Sequence, residues 1–221
     1  MIRQYINITN NCNANCEFCC MWSDSNKHRF MTFDEFKKII DSKKDDFELQ
    51  LEGGEPLLHN NLYLFMEYAR STNRCKKIII LTNGILLNKH LERLVLFHKY
   101  YKIPMVIKVS INYWLYNMDN EIIDKARNYH LSTEFIDGFD ILLNVRLRHD
   151  DNFIKEEIEK QNLTDISNIF YLQSYGKFEN ELEYDKPVIV ENIDNWFIYA
   201  CDGKCFFKDL IARSNYEKVL K

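Results

Sequence analysis

Short runs of aliphatic and β-branched residues alternate with longer amphipathic stretches along most of this chain, and that alternation leaves few folds open. The β-type runs cover residues 4–9, 47–52, 77–82, 105–112, 140–146 and 168–173. They are rich in Ile, Val, Leu and Tyr, side chains that suit a buried pleated surface. Helical patterns lie between them. Thr32-Phe33-Asp34-Glu35 reads as a capping box that opens a helix running to about Asp41. Residues 61–72 place Leu62, Phe65, Met66 and Ala69 at helical spacing. Residues 89–100, 121–129 and 152–161 supply three further helices. Strands separated by helices pair in parallel through right-handed crossovers. Two architectures satisfy that rule, a doubly wound open sheet and a barrel of (β/α) units.

The residues that follow each strand favour the barrel. The runs lead in turn into Asn10-Asn11-Cys12, Gly53-Gly54-Glu55-Pro56, Asn83-Gly84, Ser110-Ile111-Asn112, Asn144-Val145-Arg146 and Gln173-Ser174. A doubly wound sheet gathers its ligand groups at one switch point, whereas a (β/α) array builds its site from every C-terminal strand end. The expectation is therefore an α/β chain, a partial (β/α)6 TIM-like barrel over residues 1–176. The alternation stops near Tyr175. Residues 177–191 read as a polar loop containing Pro187, and the stretch from Asn192 carries Cys201, Cys205 and a closing helix. Residues 177–221 are expected to form a short C-terminal extension packed on the barrel.

The 221 residues suffice for one ordinary domain with a sizeable core. A hydrophobic share of 46% with 28% charged residues matches a globular protein. The net charge of −4 gives no footprint for a nucleic-acid surface. No apolar run is long enough to span a bilayer. Met1 to Tyr5 lacks the apolar core of a secretory signal, so the expected location is the cytoplasm.

Seven cysteines are present, and Cys12, Cys16, Cys19 and Cys20 crowd into one short segment. An odd, clustered set without an export signal argues for metal or redox chemistry rather than a disulfide framework. Cys12, Cys16 and Cys19 can converge on one iron–sulfur cube from a single loop. Three thiolates leave one of four irons open to a ligand. On spacing alone a Cys₃His zinc site using His28, or a buried cysteine cluster, stays open as well. The other histidines fall at no metal-ligand spacing. Phe18, between the last two cysteines, could pack on a bound nucleoside or belong to the core.

Cys12-x₃-Cys16-x-Phe18-Cys19 resembles the signature of the radical S-adenosylmethionine (SAM) superfamily, and Gly53-Gly54-Glu55-Pro56 is similar to that family's GGEP motif. The resemblance implies a [4Fe–4S] cluster on the three cysteines, with SAM chelated at the open iron. It implies that Gly53, Gly54 and Glu55 orient the SAM amino group. Ser110 and Asn112 then lie where the family's fourth strand meets the cofactor, Arg146 where a guanidinium would pair with its carboxylate, and Gln173 on the adenine side. Cys20 is not expected to be a ligand, although its backbone could reach adenine; Cys75 reads as an idle thiol at a helix end. Cys201 and Cys205 are candidates for a hydrogen-donating thiol or an auxiliary cluster.

The resemblance further implies an oxidoreductase fed by flavodoxin or ferredoxin. It would reductively cleave SAM to a 5′-deoxyadenosyl radical that abstracts hydrogen from a peptide or small-molecule substrate. A glycyl-radical activase acting on a partner enzyme is the alternative within the family, and a non-catalytic zinc module the alternative outside it.

Overall fold

A computed structural model describes residues 1–181 and 195–220. Seven strands form one parallel sheet: β1 (Ile2–Thr9), β2 (Phe47–Gly53), β3 (Cys75–Thr82), β4 (Met105–Asn112), β5 (Phe139–Leu147), β6 (Ser167–Tyr171) and β7 (Trp196–Tyr199). Their order is β6-β5-β4-β3-β2-β1-β7, and every recorded pair is parallel. The first six strands follow one another without reversal, so the sheet has no central switch point and curls into a half-barrel. The doubly wound alternative is thereby excluded.

The helices fall where the periodicity puts them: α1 (Phe33–Asp41), α2 (Leu62–Ser71), α3 (Leu87–Tyr101), α5 (Ile122–Thr133) and α6 (Asn152–Lys160). The Thr32 hydroxyl accepts from Glu35 N, and the Glu35 carboxylate accepts from Thr32 N, which completes the capping box of α1. Two elements differ from the sequence reading. A short helix, α4 (Tyr113–Met118), follows β4 directly, capped by the Asn112 side chain on Leu115 N. One and a half turns are too few for a periodic signal. The seventh strand, β7, is a four-residue aromatic run whose partner is β1, at the far end of the chain. The closing helix is α7 (Leu210–Val219). Cys75 opens β3 instead of ending a helix, because β3 begins two residues earlier than its aliphatic run. β6 stops at Tyr171, so Gln173 lies just past the strand rather than on it. Of the polar loop expected over 177–191, residues 182–191 lie outside the described residues.

The sheet has two unlike faces. Its helix-covered face is apolar apart from the buried Gln4, with Ile6, Leu49, Leu51, Ile78, Ile107, Leu143 and Val145 fully or almost fully buried. Phe36 of α1 and Phe65 of α2 stack at 4.3 Å over it. Alternation turns the intervening residues to the other face, and on β1 and β2 these are Arg3, Tyr5, Asn7, Glu48, Gln50 and Glu52, opposed in register. Buried polar groups must pair, and these do. Gln50 Nε2 donates to Glu52 Oε2 (2.6 Å), Lys108 Nζ to Gln50 Oε1 (3.3 Å), and Arg3 Nε to Glu48 Oε2 (2.6 Å). Helix α7 completes the set: Arg213 Nη1 donates to Glu52 Oε1 at 2.6 Å, and Glu217 Oε1 accepts from Asn7 Nδ2 at 2.5 Å. Among the described residues no helix is long and apolar enough to cross a membrane.

The Glu52–Arg213 pair is buried on both sides. Removing one partner leaves an uncompensated charge, so Arg213→Met is expected to lower unfolding free energy by about 3–5 kcal/mol. The double replacement Glu52→Leu with Arg213→Met should recover most of that loss. Urea denaturation midpoints of the three proteins test this.

Candidate functional site

The stretch from Thr9 to Cys20 is held against the C-terminal ends of β1, β2 and β3. Gly54 N donates to Thr9 O (2.7 Å) and Glu55 N to Asn11 O (2.9 Å). The approach is so close that a Cβ at Gly54 would lie 2.0 Å from Asn11 O, and one at Gly53 would lie 2.1 Å from Asn7 Oδ1. Only glycine fits such contacts. The two glycines therefore let the second strand end pass beside the segment that leads into Cys12.

Glu55 is completely buried and turns back into the protein. Its Oε1 accepts from Leu57 N (3.0 Å) and Thr82 Oγ1 (2.8 Å), and its Oε2 from Asn83 N (2.8 Å). The carboxylate thus bridges the end of β2 to the end of β3. Asn83, also buried, carries the link onward: its Nδ2 donates to Asn13 Oδ1 (2.7 Å) and lies 3.8 Å from Cys12 Sγ. This chain from Glu55 through Asn83 to the cysteine loop was not legible in the sequence, where Thr82-Asn83-Gly84 is an ordinary strand-to-turn tripeptide.

The loop is gripped from the other side as well. Trp114 Nε1 of α4 donates to Ala14 O (2.7 Å), and the Tyr113 hydroxyl donates to the Glu17 carboxylate. Lys177 N donates to Cys19 O (3.2 Å), and Gly176 lies so close that a Cβ there would be 2.4 Å from Cys20 Cα. Ser214 Oγ of α7 donates to Cys20 O at 2.5 Å, which ties the closing helix to the backbone of the cysteine loop.

Within this frame the three predicted thiols are near enough to feel one another's charge. Burial raises the Cys16 thiol above its ordinary value, and the nearby sulfurs of Cys19 and Cys12 raise it further. Burial likewise raises Cys12 and Cys19. His28, the fourth ligand of the zinc alternative, is exposed. Among the described residues no three His, Cys, Asp or Glu side chains converge on a single-ion site. Phe18 sits in an aromatic group, 5.4 Å from Tyr113 and 5.9 Å from Phe178 by ring centroids.

The remaining candidates divide. Ser110 is half-buried and lies opposite Asn144, and Asn112 lies opposite Arg146, all at one end of the β4–β5 pair. Arg146 lies over the Phe170 ring (4.4 Å), and its Nη1 is buried without a hydrogen-bond partner among the described residues. A buried donor of this kind is costly unless something occupies it. Gln173 is half-buried, and its carbonyl accepts from Tyr175 N. Burial and the neighbouring Cys19 push the Cys20 thiol up to about 11. Cys201 and Cys205 lie in the extension. Cys201 is fully buried, with its thiol 3.5 Å from Glu217 Oε2 and its N–H donating to Glu217 Oε1, whereas Cys205 pairs with Tyr199.

Burial holds the Glu55 carboxyl up at about 7, against the lowering effect of its three donors. A folded-state value above the unfolded one favours folding at low pH, and that contribution is lost as pH rises through the folded value. Stability is therefore expected to fall between about pH 4.5 and pH 7 from this group, by roughly a few kcal/mol. In Glu55→Gln that part of the slope disappears, and the protein is weaker throughout because an amide NH₂ meets Asn83 N. Denaturation curves across this pH range check both outcomes.

A model of the radical SAM superfamily matches residues 6–149. GTP 3′,8-cyclase of Staphylococcus haemolyticus is 26% identical over 202 residues, which are 86% of this chain and 55% of that protein. The antilisterial bacteriocin subtilosin biosynthesis protein AlbA of Bacillus subtilis is 29% identical over 122 residues, 54% of this chain and 25% of that protein. Among solved structures, Streptococcus suis SuiB bound to precursor peptide SuiA aligns with a TM-score of 0.50 at 12% identity, covering 100% of this chain and 61% of that chain. That likeness concerns the fold alone. The chain spans about half the length of the GTP cyclases it matches. With a family match over most of the half-barrel, the chain belongs to the radical SAM superfamily, whose enzymes bind a [4Fe–4S] cluster and S-adenosylmethionine.

Proposed function

We propose that this chain is an oxidoreductase that holds a [4Fe–4S] cluster on Cys12, Cys16 and Cys19 and abstracts hydrogen from a peptide or small-molecule substrate. The observation that carries the reading is the family match over residues 6–149, which takes in all three cysteines, in a loop clamped by Glu55, Asn83 and Trp114. The donor set suits such a cluster, since thiolates are its ligands and three of them leave one iron for a cofactor. When bound, cluster and SAM together supply a 5′-deoxyadenosyl radical, made by one-electron cleavage of SAM.

The chain's own residues supply position and exclusion of water. The unpartnered Nη1 of Arg146 suits the SAM carboxylate, because a buried guanidinium is best matched by a planar anion. Ser110 and Asn112 stand beside it on β4 and would meet the ribose side. The backbone of Gly53 and Gly54 would face the amino group, with Glu55 fixing that backbone from behind. Phe18 and Gln173 would border the adenine. Residues 1–176 form the catalytic barrel in this reading, and 177–221 an extension of it. Flavodoxin or ferredoxin would deliver the electron. Seven unpaired cysteines and a reducible cluster agree with a reducing compartment, the cytoplasm. Both substrate classes have precedent among similar proteins, a GTP cyclase and a bacteriocin biosynthesis protein.

Anaerobic reconstitution with iron and sulfide tests the proposal. The wild-type chain is expected to take up a cluster with iron–sulfur absorbance and to release 5′-deoxyadenosine from SAM under a strong reductant. Cys12→Ala, Cys16→Ala and Cys19→Ala should each fall to the level of a protein-free control. Stoichiometric zinc without iron, or product formation that survives all three replacements, would sink the reading.

A further inference from the structure

We propose that Asn83 sets the reduction potential of the cluster by donating an N–H···S hydrogen bond to Cys12. The assignment rests on the cluster reading of the cysteine loop given above. Asn83 immediately follows β3 and is buried, with its Nδ2 3.8 Å from Cys12 Sγ. Sulfur is a large, diffuse acceptor, and its hydrogen bonds are correspondingly long.

The orientation of the amide is fixed by its other contacts. Asn83 Oδ1 accepts from Ile85 N at 3.0 Å, and Asn83 N donates to Glu55 Oε2 at 2.8 Å. An amide flip would set the NH₂ group against Ile85 N–H, donor against donor. The NH₂ group must therefore face the loop. It has two hydrogens for two acceptors, Asn13 Oδ1 at 2.7 Å and Cys12 Sγ. The side chain needs no rearrangement to make this bond, because Glu55 and Ile85 already hold it.

The physical consequence has a definite sign. One-electron reduction adds negative charge that spreads onto the ligand sulfurs. A donor aimed at a sulfur stabilises the reduced state more than the oxidised one and raises the potential. Ala14 N, at 3.5 Å from the same sulfur, acts in the same direction but cannot be removed by side-chain replacement. Asn83 is thus a positioning residue that acts on the cluster through Cys12, and it need not touch substrate.

The test compares reconstituted wild type with Asn83→Asp, Asn83→Ala and Asn13→Ala. Each is titrated anaerobically with Ti(III) citrate, which supplies one electron per cluster, and the reduced cluster is followed by electron paramagnetic resonance. Asp keeps the acceptor for Ile85 N and loses the donor; Asn13→Ala removes the neighbouring acceptor and keeps the N–H···S bond. At the wild-type midpoint, the ratio of reduced to oxidised cluster is expected to fall about tenfold in Asn83→Ala, which loses the donor without adding charge, the size set by a hydrogen bond to a charged group. It should fall further in Asn83→Asp, whose carboxylate adds a negative charge beside Cys12, and stay near wild type in Asn13→Ala. Unmoved titrations of the Asn83 variants at wild-type iron and sulfide content would overturn the assignment and leave the functional reading intact. A shift in Asn13→Ala as large as in Asn83→Ala would overturn it too, as would failure of both Asn83 variants to load while Asn13→Ala loads. Failure of the wild type to take up a cluster would remove both conclusions together.

Discussion

The buried carboxylate of Glu55 ties the ends of β2 and β3 to each other and, through Asn83, to the loop that carries Cys12, Cys16 and Cys19. Three donors converge on it, so its position is over-determined, and the cysteine loop inherits that rigidity. Two glycines make the arrangement sterically possible by allowing Gly53-Gly54 to press against Asn7 and Asn11. The Gly-Gly-Glu-Pro segment therefore has a structural task that is complete within the protein. Any cofactor contact by its backbone is added to that task.

The second organising feature is the contrast between the faces of the sheet. Aliphatic side chains meet helices on one face, and a ladder of paired polar groups covers the other. Helix α7 does not cap the apolar core. It offers Arg213 and Glu217 to Glu52 and Asn7 on the polar face. Such buried polar contacts hold one geometry, because every displaced group would be left without a partner. The extension is thereby placed against Cys20, at the edge of the cysteine loop.

Several contacts at the site involve residues whose types carry no signal by themselves. The indole N–H of Trp114 fixes Ala14 O. The missing side chain of Gly176 admits Cys20 Cα. Arg146 is visible as a charge at a strand end, but only the structure shows its Nη1 buried without a hydrogen-bond partner among the described residues. Cys201, a candidate for a hydrogen-donating thiol or an auxiliary cluster, is buried against Glu217 of α7.

The sequence by itself determined the order of six strands and six helices, the parallel sense of the sheet and the clustering of the three cysteines, because these depend on local periodicity, capping and spacing. It also marked Gly53-Gly54-Glu55 and Arg146, since strand ends in a (β/α) array face one side. Tertiary structure alone decided that β7 pairs with β1, that Glu55 points into the protein and that Asn83 reaches Cys12. Each of these joins residues far apart in the chain, and a hydrogen bond between distant side chains leaves no periodic trace in either segment.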